Sequence, residues 1–447
     1  MQLASRKLID RSFTGLSVFS IVLVAGALVI ILTPIVGRGM GAVFFRGTVE
    51  HRQVQLDLFG HGRGEDIAAE VAAAEEARRQ VYVLIAEFEQ ELADSIRARR
   101  QYAEAMEEVK AGLRELLGPF PGETPVLYRE RYGQTRWDRA QIKLQRVLYA
   151  ETYDYSDPTQ MGQKVLTPRV EEFAGTSLEP LFTILPARLE EMLRPRPTFY
   201  WRFFTNTATA DYSFGGIWPD ILGTFYLTFW TILFAVPMGI ISAIYLVEYA
   251  REGNRIVVLV RTCINTLAGV PSIVFGLFGL AFFINTLRVS EGRSVLAGSL
   301  TLALLILPLV IRSAEEAIRA VPHTYKEASL SLGAGQWRTI VRVILPAALP
   351  GVLTGVVISM GRAAGETAPI IFTAAVSVAR PMGLWSGLSE PTHALPWSVY
   401  TLCTEHKTVD EIRHVQYGMV FTLVLMVLLL NSVAILLRAR ISRKLRG

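Results

Sequence analysis

The chain has 447 residues, of which 51% are hydrophobic and 19% charged, with 45 Lys and Arg against 40 Asp and Glu and a net charge of +5. A soluble domain averages about 45–50% apolar and 25% charged, so the balance leans towards membrane, although the charges exclude a chain immersed in lipid throughout. The basic excess lies beside apolar runs, where membrane proteins place Lys and Arg, and this removes the case for a nucleic-acid surface.

Residues 1–12 carry Arg6, Lys7 and Arg11 ahead of an apolar run, 13–36. That run meets the roughly 20 residues a spanning helix needs. It exceeds the apolar core of a secretion signal, about 7–15 residues, and no Ala-x-Ala site closes it, so a retained helix is expected. Further spans are expected at 221–247, 269–287, 295–317, 347–376 and 416–438, with Pro237, Pro308 and Pro369 inside them. Membrane bundles tolerate such prolines because neighbouring groups satisfy the freed backbone. The expected fold class is an all-α integral membrane protein of six transmembrane helices, with residues 37–220 inserted between spans one and two.

Within the insertion, 64–117 is rich in Ala, Glu, Arg and Leu and lacks proline, a composition that favours helix. Apolar side chains recur at Ile67, Val71, Ala74, Val81, Ile85, Phe88, Leu92 and Ile96, then at Met106, Val109, Leu113 and Leu116. Intervals of three and four predict an amphipathic, coiled-coil-like stripe. The polar run 97–101 interrupts the stripe as a bend or an exposed turn, and Gly118-Pro119-Phe120-Pro121-Gly122 ends the stretch. Shorter helices are expected at 136–151 and 178–193. The block reads as a helical packing domain or spacer, with a docking surface for an extracytoplasmic partner as the alternative.

Orientation follows from the short loops. Arg251, Arg255, Arg319, Lys326, Arg338 and Arg342, and the basic tail 439–447, fall on the same side as the N-terminus. Both termini are therefore expected to be cytoplasmic, and 37–220 extracytoplasmic. Cys263 and Cys403 fall on opposite sides and cannot form a disulfide framework. The six histidines are expected in loops, and no metal site is expected. The sequence has no Gly-x-x-x-x-Gly-Lys-Ser/Thr phosphate loop, no Gly-x-Ser-x-Gly elbow and no His-Glu-x-x-His, so no enzyme chemistry and no bound cofactor are expected of this chain.

Between spans four and five, Lys326-Glu327-Ala328-Ser329-Leu330-Ser331-Leu332-Gly333 precedes Val343-Ile344-Leu345-Pro346. The pattern predicts a short helix, a glycine break, a second helix and a proline that introduces span five. A basic helical pair like this could simply lie on lipid. The segment 321–346 nevertheless resembles the EAA loop of ABC-importer permeases. Glu327, Ala328, Gly333, Leu345 and Pro346 match, while Ser329 replaces the second alanine and Val343 the usual isoleucine. The resemblance implies a coupling helix that enters a groove on a separate ATPase subunit, where ATP and Mg would be bound.

Three further stretches narrow the family: 215–224, 268–277, and Gly361-Arg362-Ala363-Ala364-Gly365-Glu366-Thr367-Ala368-Pro369 with Phe372-Thr373-Ala374. Together they resemble the phosphate-specific ABC-importer permease, A-type subunit (PstA), over span one and residues about 198–440. The resemblance does not cover 38–197. It implies a bacterial inner-membrane assembly of this chain with a homologous C-type permease, two copies of an ATPase and an extracytoplasmic phosphate-binding protein. The same machinery with another oxyanion, sulfate or molybdate, is the near alternative. A membrane sensor or scaffold using 64–117 is the remote one.

An anion path through lipid needs cations or oriented N–H groups. Arg362 and Glu366 are four residues apart, one helix face, and Arg362 lies about 16 residues, roughly 24 Å, beyond Pro346. Arg362 is therefore expected to be buried in the bundle, as a pathway or gating residue or as a structural ion pair. Arg312, with Glu315 and Glu316 one turn on, is a second candidate or an interfacial residue. Thr367 and Thr373 could donate to a passing anion or bond their own backbone. Asp220 reads as a helix cap.

Overall fold

The computed structural model describes residues 3–123, 134–154, 163–208, 212, 214–251, 253–376, 387–405 and 412–446. The chain divides into two compact units, Met1–Ala42 with Trp201–Gly447, and Val43–Tyr200. Helix α1 (Leu3–Met40) opens the first of these, the membrane unit.

The inserted unit runs β1 (Phe44–Gly47), α2 (Val49–Phe59), α3 (Gly64–Asp94), α4 (Ile96–Leu117), α5 (Trp137–Leu148), β2 (Tyr149–Asp154), β3 (Gln163–Pro168), α6 (Arg169–Glu172), α7 (Leu181–Leu193) and β4 (Arg196–Phe199). Among the described residues its strands form two antiparallel pairs, β1 with β4 and β2 with β3. The stripe on α3 and α4 does not build an extended coiled coil. Val81, Ile85 and Phe88 of α3, Val109, Leu113 and Leu116 of α4, Val147 of α5, and Leu185, Leu189 and Met192 of α7 close on one core. The break falls at Ser95, ahead of the polar run expected to cause it, because the Ser95 hydroxyl accepts from Ala98 N at 3.2 Å and starts a new helix. Ile96, expected on the stripe, is consequently exposed.

Arg78 occupies a stripe position between Ala74 and Val81 and is buried. Its Nε and Nη2 donate to Met192 O at 3.0 and 2.8 Å, its Nη1 donates to Leu117 O at 2.9 Å, and its Nη2 pairs with Glu50. Carbonyls at helix C-termini have no partner within the helix, so one guanidinium closes the ends of α4 and α7.

The membrane unit continues with α8 (Trp218–Ile244), α9 (Arg255–Leu267), α10 (Ser272–Gly279), α11 (Val295–Arg319), α12 (His323–Ser331), α13 (Gln336–Thr339), α14 (Leu345–Gly365), α15 (Ala368–Thr373), α16 (Leu395–Thr404) and α17 (Arg413–Arg446). Helices α8, α10 and α13 each run on into a π-helical turn, Tyr245–Tyr249, Leu280–Thr286 and Ile340–Ile344. Among the described residues five helices are long and apolar enough to cross a membrane: Ser12–Met40, Trp218–Tyr249, Val295–Arg319, Gln336–Gly365 and Arg413–Arg443.

Two expected spans differ from the straight helices read in the sequence. The third is a bent pair, Arg255–Leu267 and Ser272–Thr286, folded by 106°, and it makes a sixth crossing only if taken as one broken span. Pro271 disfavours helix in the residue before it, and Asn254, whose side chain accepts from Ile256 N at 3.0 Å, starts α9 in what was expected to be a loop. The fifth span stops at Gly365 instead of reaching 376, and α15 follows separately.

Candidate functional site

Pro369 explains why α14 stops: its ring clashes with the carbonyl four residues back, that of Gly365, and it has no N–H to donate. Glu366 is extended, at φ −77° and ψ 125°, and Thr367 precedes α15. Arg362 stands in the last turn of α14, where its charge complements the carbonyl end of the helix. Its Nε donates to Glu366 Oε1 at 3.3 Å. The pair therefore closes across a helix break and not along a continuous face.

The expected burial of Arg362 within this chain is corrected, since its side chain is 49% exposed against 19% for Glu366. Helical phase does not account for this, since α14 buries Ala348, Val352, Gly355, Ser359, Ala363 and Ala364 and Arg362 follows Gly355 by seven residues. Arg362 instead stands where the helix ends, three residues before Gly365. At 1.5 Å per residue it is about 26 Å from Leu345. The side of the membrane unit thus carries a half-exposed guanidinium far along a spanning helix.

The remaining candidates lie apart from this pair. Thr367 is half-buried and caps nothing with its side chain. Thr373 donates to Pro369 O of its own helix at 2.8 Å. Arg312 is exposed on α11 and donates to Asn265 of α9. Glu315, expected beside Arg312, pairs instead with Arg261 of α9 at 3.3 Å. Among the described residues no hydrogen bond joins Arg312 or Thr367 to Arg362 or Glu366.

Asp220, expected as a helix cap, is 1% exposed in the first turn of α8, with His393 Nδ1 at 3.9 Å. Tyr212 Oη donates to its Oδ1 at 3.1 Å, and Ser398 of α16 donates to the same oxygen. Thr224, one turn along α8, accepts from Leu395 N at 2.8 Å. These contacts seat 392–398 on α8 and leave the Asp220 carboxylate satisfied. Burial pushes the Tyr212 phenol up from its ordinary value, with the neighbouring Asp220 charge adding to the shift.

The segment 321–346 folds as a helical hairpin. Gly333 turns it at φ 81°, a left-handed conformation suited to glycine. Ala334 N donates to Ser329 O at 3.2 Å, and the Ser329 and Thr339 hydroxyls meet at 2.9 Å. Glu327, Ala328 and Gly333 are exposed, while Leu345 and Pro346 are half-buried at the start of α14. The hairpin also exposes Tyr325, Leu330, Leu332 and Trp337, of which Leu332 is 89% open. Four large apolar side chains left open on one short hairpin are more than the scattered single ones an ordinary surface carries.

Residues 211–447 match the family of binding-protein-dependent transport system inner membrane components. The chain belongs to this family. Its relatives place it among the PstA-type ABC-transporter permeases. It is 34% identical over 254 residues to the probable ABC transporter permease protein YqgI of Bacillus subtilis, covering 55% of this chain and 85% of that one. It is also 34% identical over 247 residues to the phosphate transport system permease protein PstA 1 of Mycobacterium tuberculosis, covering 55% of this chain and 77% of that one. The inward-facing MetNI methionine ABC transporter aligns at 20% identity over 51% of this chain and 94% of that one, with a TM-score of 0.38, a likeness too distant to argue from. The permease is a multi-pass protein of the inner membrane and a transport subunit of an ABC importer.

Some residues of this permease escaped the sequence reading. Three histidines expected in loops lie in helices: His51 in α2, His323 at the start of α12 and His414 in α17. Asn431 of α17 lies against Gly361, the neighbour of Arg362 in the chain, and its Oδ1 has no hydrogen-bond partner among the described residues. A lone Asn within an apolar run was the available signal. For the contact of α9 with α11, the signal was the spacing of Arg261 and Asn265, four apart on one face.

Proposed function

We propose that this chain is the A-type permease subunit of an ATP-driven phosphate importer and forms half of its translocation path. The observation that carries the proposal is Arg362, half-exposed on the side of the membrane unit and paired with Glu366 at a helix break. A charged side chain exposed on a spanning helix is better faced by a polar wall than by lipid, even in the helix's last turn where Arg362 stands. A homologous C-type permease supplies that wall and completes a pseudo-two-fold path. A guanidinium binds phosphate oxygens bidentately. Pairing with Glu366 in one state and phosphate in another keeps that binding conditional, as transport requires, and Thr367 and Arg312 line the approach.

Both termini and the hairpin 321–346 face the cytoplasm, and the inserted unit lies outside. Glu327, Ala328, Gly333, Leu345 and Pro346 shape the hairpin that docks on the ATPase. Two copies of that subunit bind ATP and Mg, none of which this chain holds, and a phosphate-binding protein delivers the anion from outside. Purification through a tag on this chain tests the assembly: the account expects the ATPase and a second permease to remain bound, and a chain purified without either contradicts it. The same guanidinium chemistry suits sulfate or molybdate. Phosphate is preferred because relatives 34% and 36% identical to this chain are named for phosphate transport.

A further inference from the structure

Glu248 lies in the π turn Tyr245–Tyr249 that ends the second span, and its side chain is 7% exposed. Its carboxylate accepts from Lys326 Nζ of α12 at 2.6 Å. Its backbone carbonyl accepts from Gln336 Nε2, on the first residue of α13, at 2.9 Å. One residue of span two therefore holds both arms of the hairpin, and the arms hold each other through Ser329 and Thr339.

The ground beside this contact is well packed. Ala243 and Ile244 of span two, Ala314 and Ile318 of α11, and Ile344 and Ala348 at the start of α14 share one apolar cluster. Two π turns flank the point, Tyr245–Tyr249 and Ile340–Ile344, and such turns recur at functional sites. An exposed lysine–carboxylate pair contributes little. Here the carboxylate is almost withdrawn from water, so removing its partner strands a charge.

We infer that Glu248 is a positioning residue that fastens the hairpin to span two, so that force applied to the hairpin moves α8 together with α14. The inference rests on the coupling role proposed above and extends it. At its two ends the hairpin is joined covalently to α11 through residues 320–322 and to α14, the helix of Arg362, through Leu345 and Pro346, but not to span two. Through Glu248 it also grips α8, whose other end holds Asp220 against Ser398 of α16. Without the Glu248 contact only the apolar cluster ties the hairpin to span two.

The test uses the complex co-purified through a tag on this chain and reconstituted in vesicles, with labelled phosphate uptake and ATP hydrolysis read in the same sample. Glu248→Gln and Lys326→Gln are each expected to assemble and hydrolyse ATP while uptake per ATP falls about fivefold or more, the scale of coupling between distant sites. The exchange Glu248→Lys with Lys326→Glu is expected to recover most of that loss. An unchanged ratio in both single variants overturns the inference. So does an assembled exchange variant with no recovery, or loss of the complex in both single variants, which would make the bond purely structural. A wild-type complex that hydrolyses ATP but moves no phosphate would instead strike the proposed function. The ratio is then read with whichever of sulfate or molybdate it does move.

Discussion

Arg362 and Glu366 meet at 3.3 Å across the point where the fifth span ceases to be a helix. The contact joins two backbone segments that Pro369 has separated, so breaking it frees the segment 366–367 as well as a charge. A group that an anion can displace at a break in a spanning helix is suited to gating, because exchange of partners changes what holds the two segments together.

Arg362→Gln should therefore leave the complex assembled and abolish phosphate uptake, since glutamine keeps a donor but loses the bidentate charged fork. Uptake by reconstituted complexes, with assembly checked by size exclusion, measures this. Wild-type uptake in the variant rejects the pathway role, and disappearance of the protein from the membrane favours a structural ion pair.

Leu332→Asp should cost about 2 kcal/mol or more of ATPase docking, the scale of a central interface residue, because Leu332 is 89% exposed at the hairpin turn. Trp337→Ala, on the second arm, should act in the same direction. Retention of the ATPase through a tag on this chain checks both, and full retention in the two variants contradicts the hairpin's role.

Gly223→Ala should destabilise the membrane unit. A Cβ at that position would lie 1.9 Å from the His393 carbonyl oxygen and 2.3 Å from Thr392 Oγ1, and the first of these is backbone. Overpacking of this kind costs about 1–3 kcal/mol, and here it pushes apart the contacts of Asp220 with Ser398 and Thr224 with Leu395. A lowered Tm of the purified protein in detergent is the expected result.

Much of the fold was legible because apolar length and helical phase are local properties. The runs at 13–36, 295–317 and 416–438 announce spans, and the four-residue spacing of Arg362 and Glu366 announces their proximity. The break after Gly365 was also written in the sequence, in Pro369, but proline inside an apolar run is compatible with either a kink or a stop. Helix α9 was hidden because it has 13 residues, with Arg261 within it, too short to register as a span. Arg78 stood visibly on an apolar stripe, yet its acceptors at Leu117 and Met192 come from other helices. Asp220 and Ser398 are 178 residues apart, a pairing that only tertiary structure reveals.

The inserted unit should lose stability in acid through His51, which is 4% exposed. Burial first, and the Arg136 and Arg52 charges next, push its imidazole from 6.5 down to about 3. A group that titrates lower in the folded state takes up a proton on unfolding. Its contribution is complete above about pH 6.5 and shrinks by about 1.4 kcal/mol per pH unit as pH falls towards 3. His51→Phe preserves the ring contacts with Phe45 and Tyr200 and should remove about one proton from the pH slope. Hydrogen exchange of the inserted unit in the full-length protein, between pH 6.5 and 4, reads that difference, and identical slopes contradict it.

The most direct test of the central claim is accumulation of labelled phosphate in vesicles containing the complex purified through this chain, with the phosphate-binding protein outside and ATP within reach of the ATPase. The account predicts phosphate accumulation that requires ATP, survives excess sulfate and molybdate, and vanishes in Arg362→Gln. An intact, ATP-hydrolysing complex that accumulates sulfate or molybdate and not phosphate, or no anion at all, would contradict it.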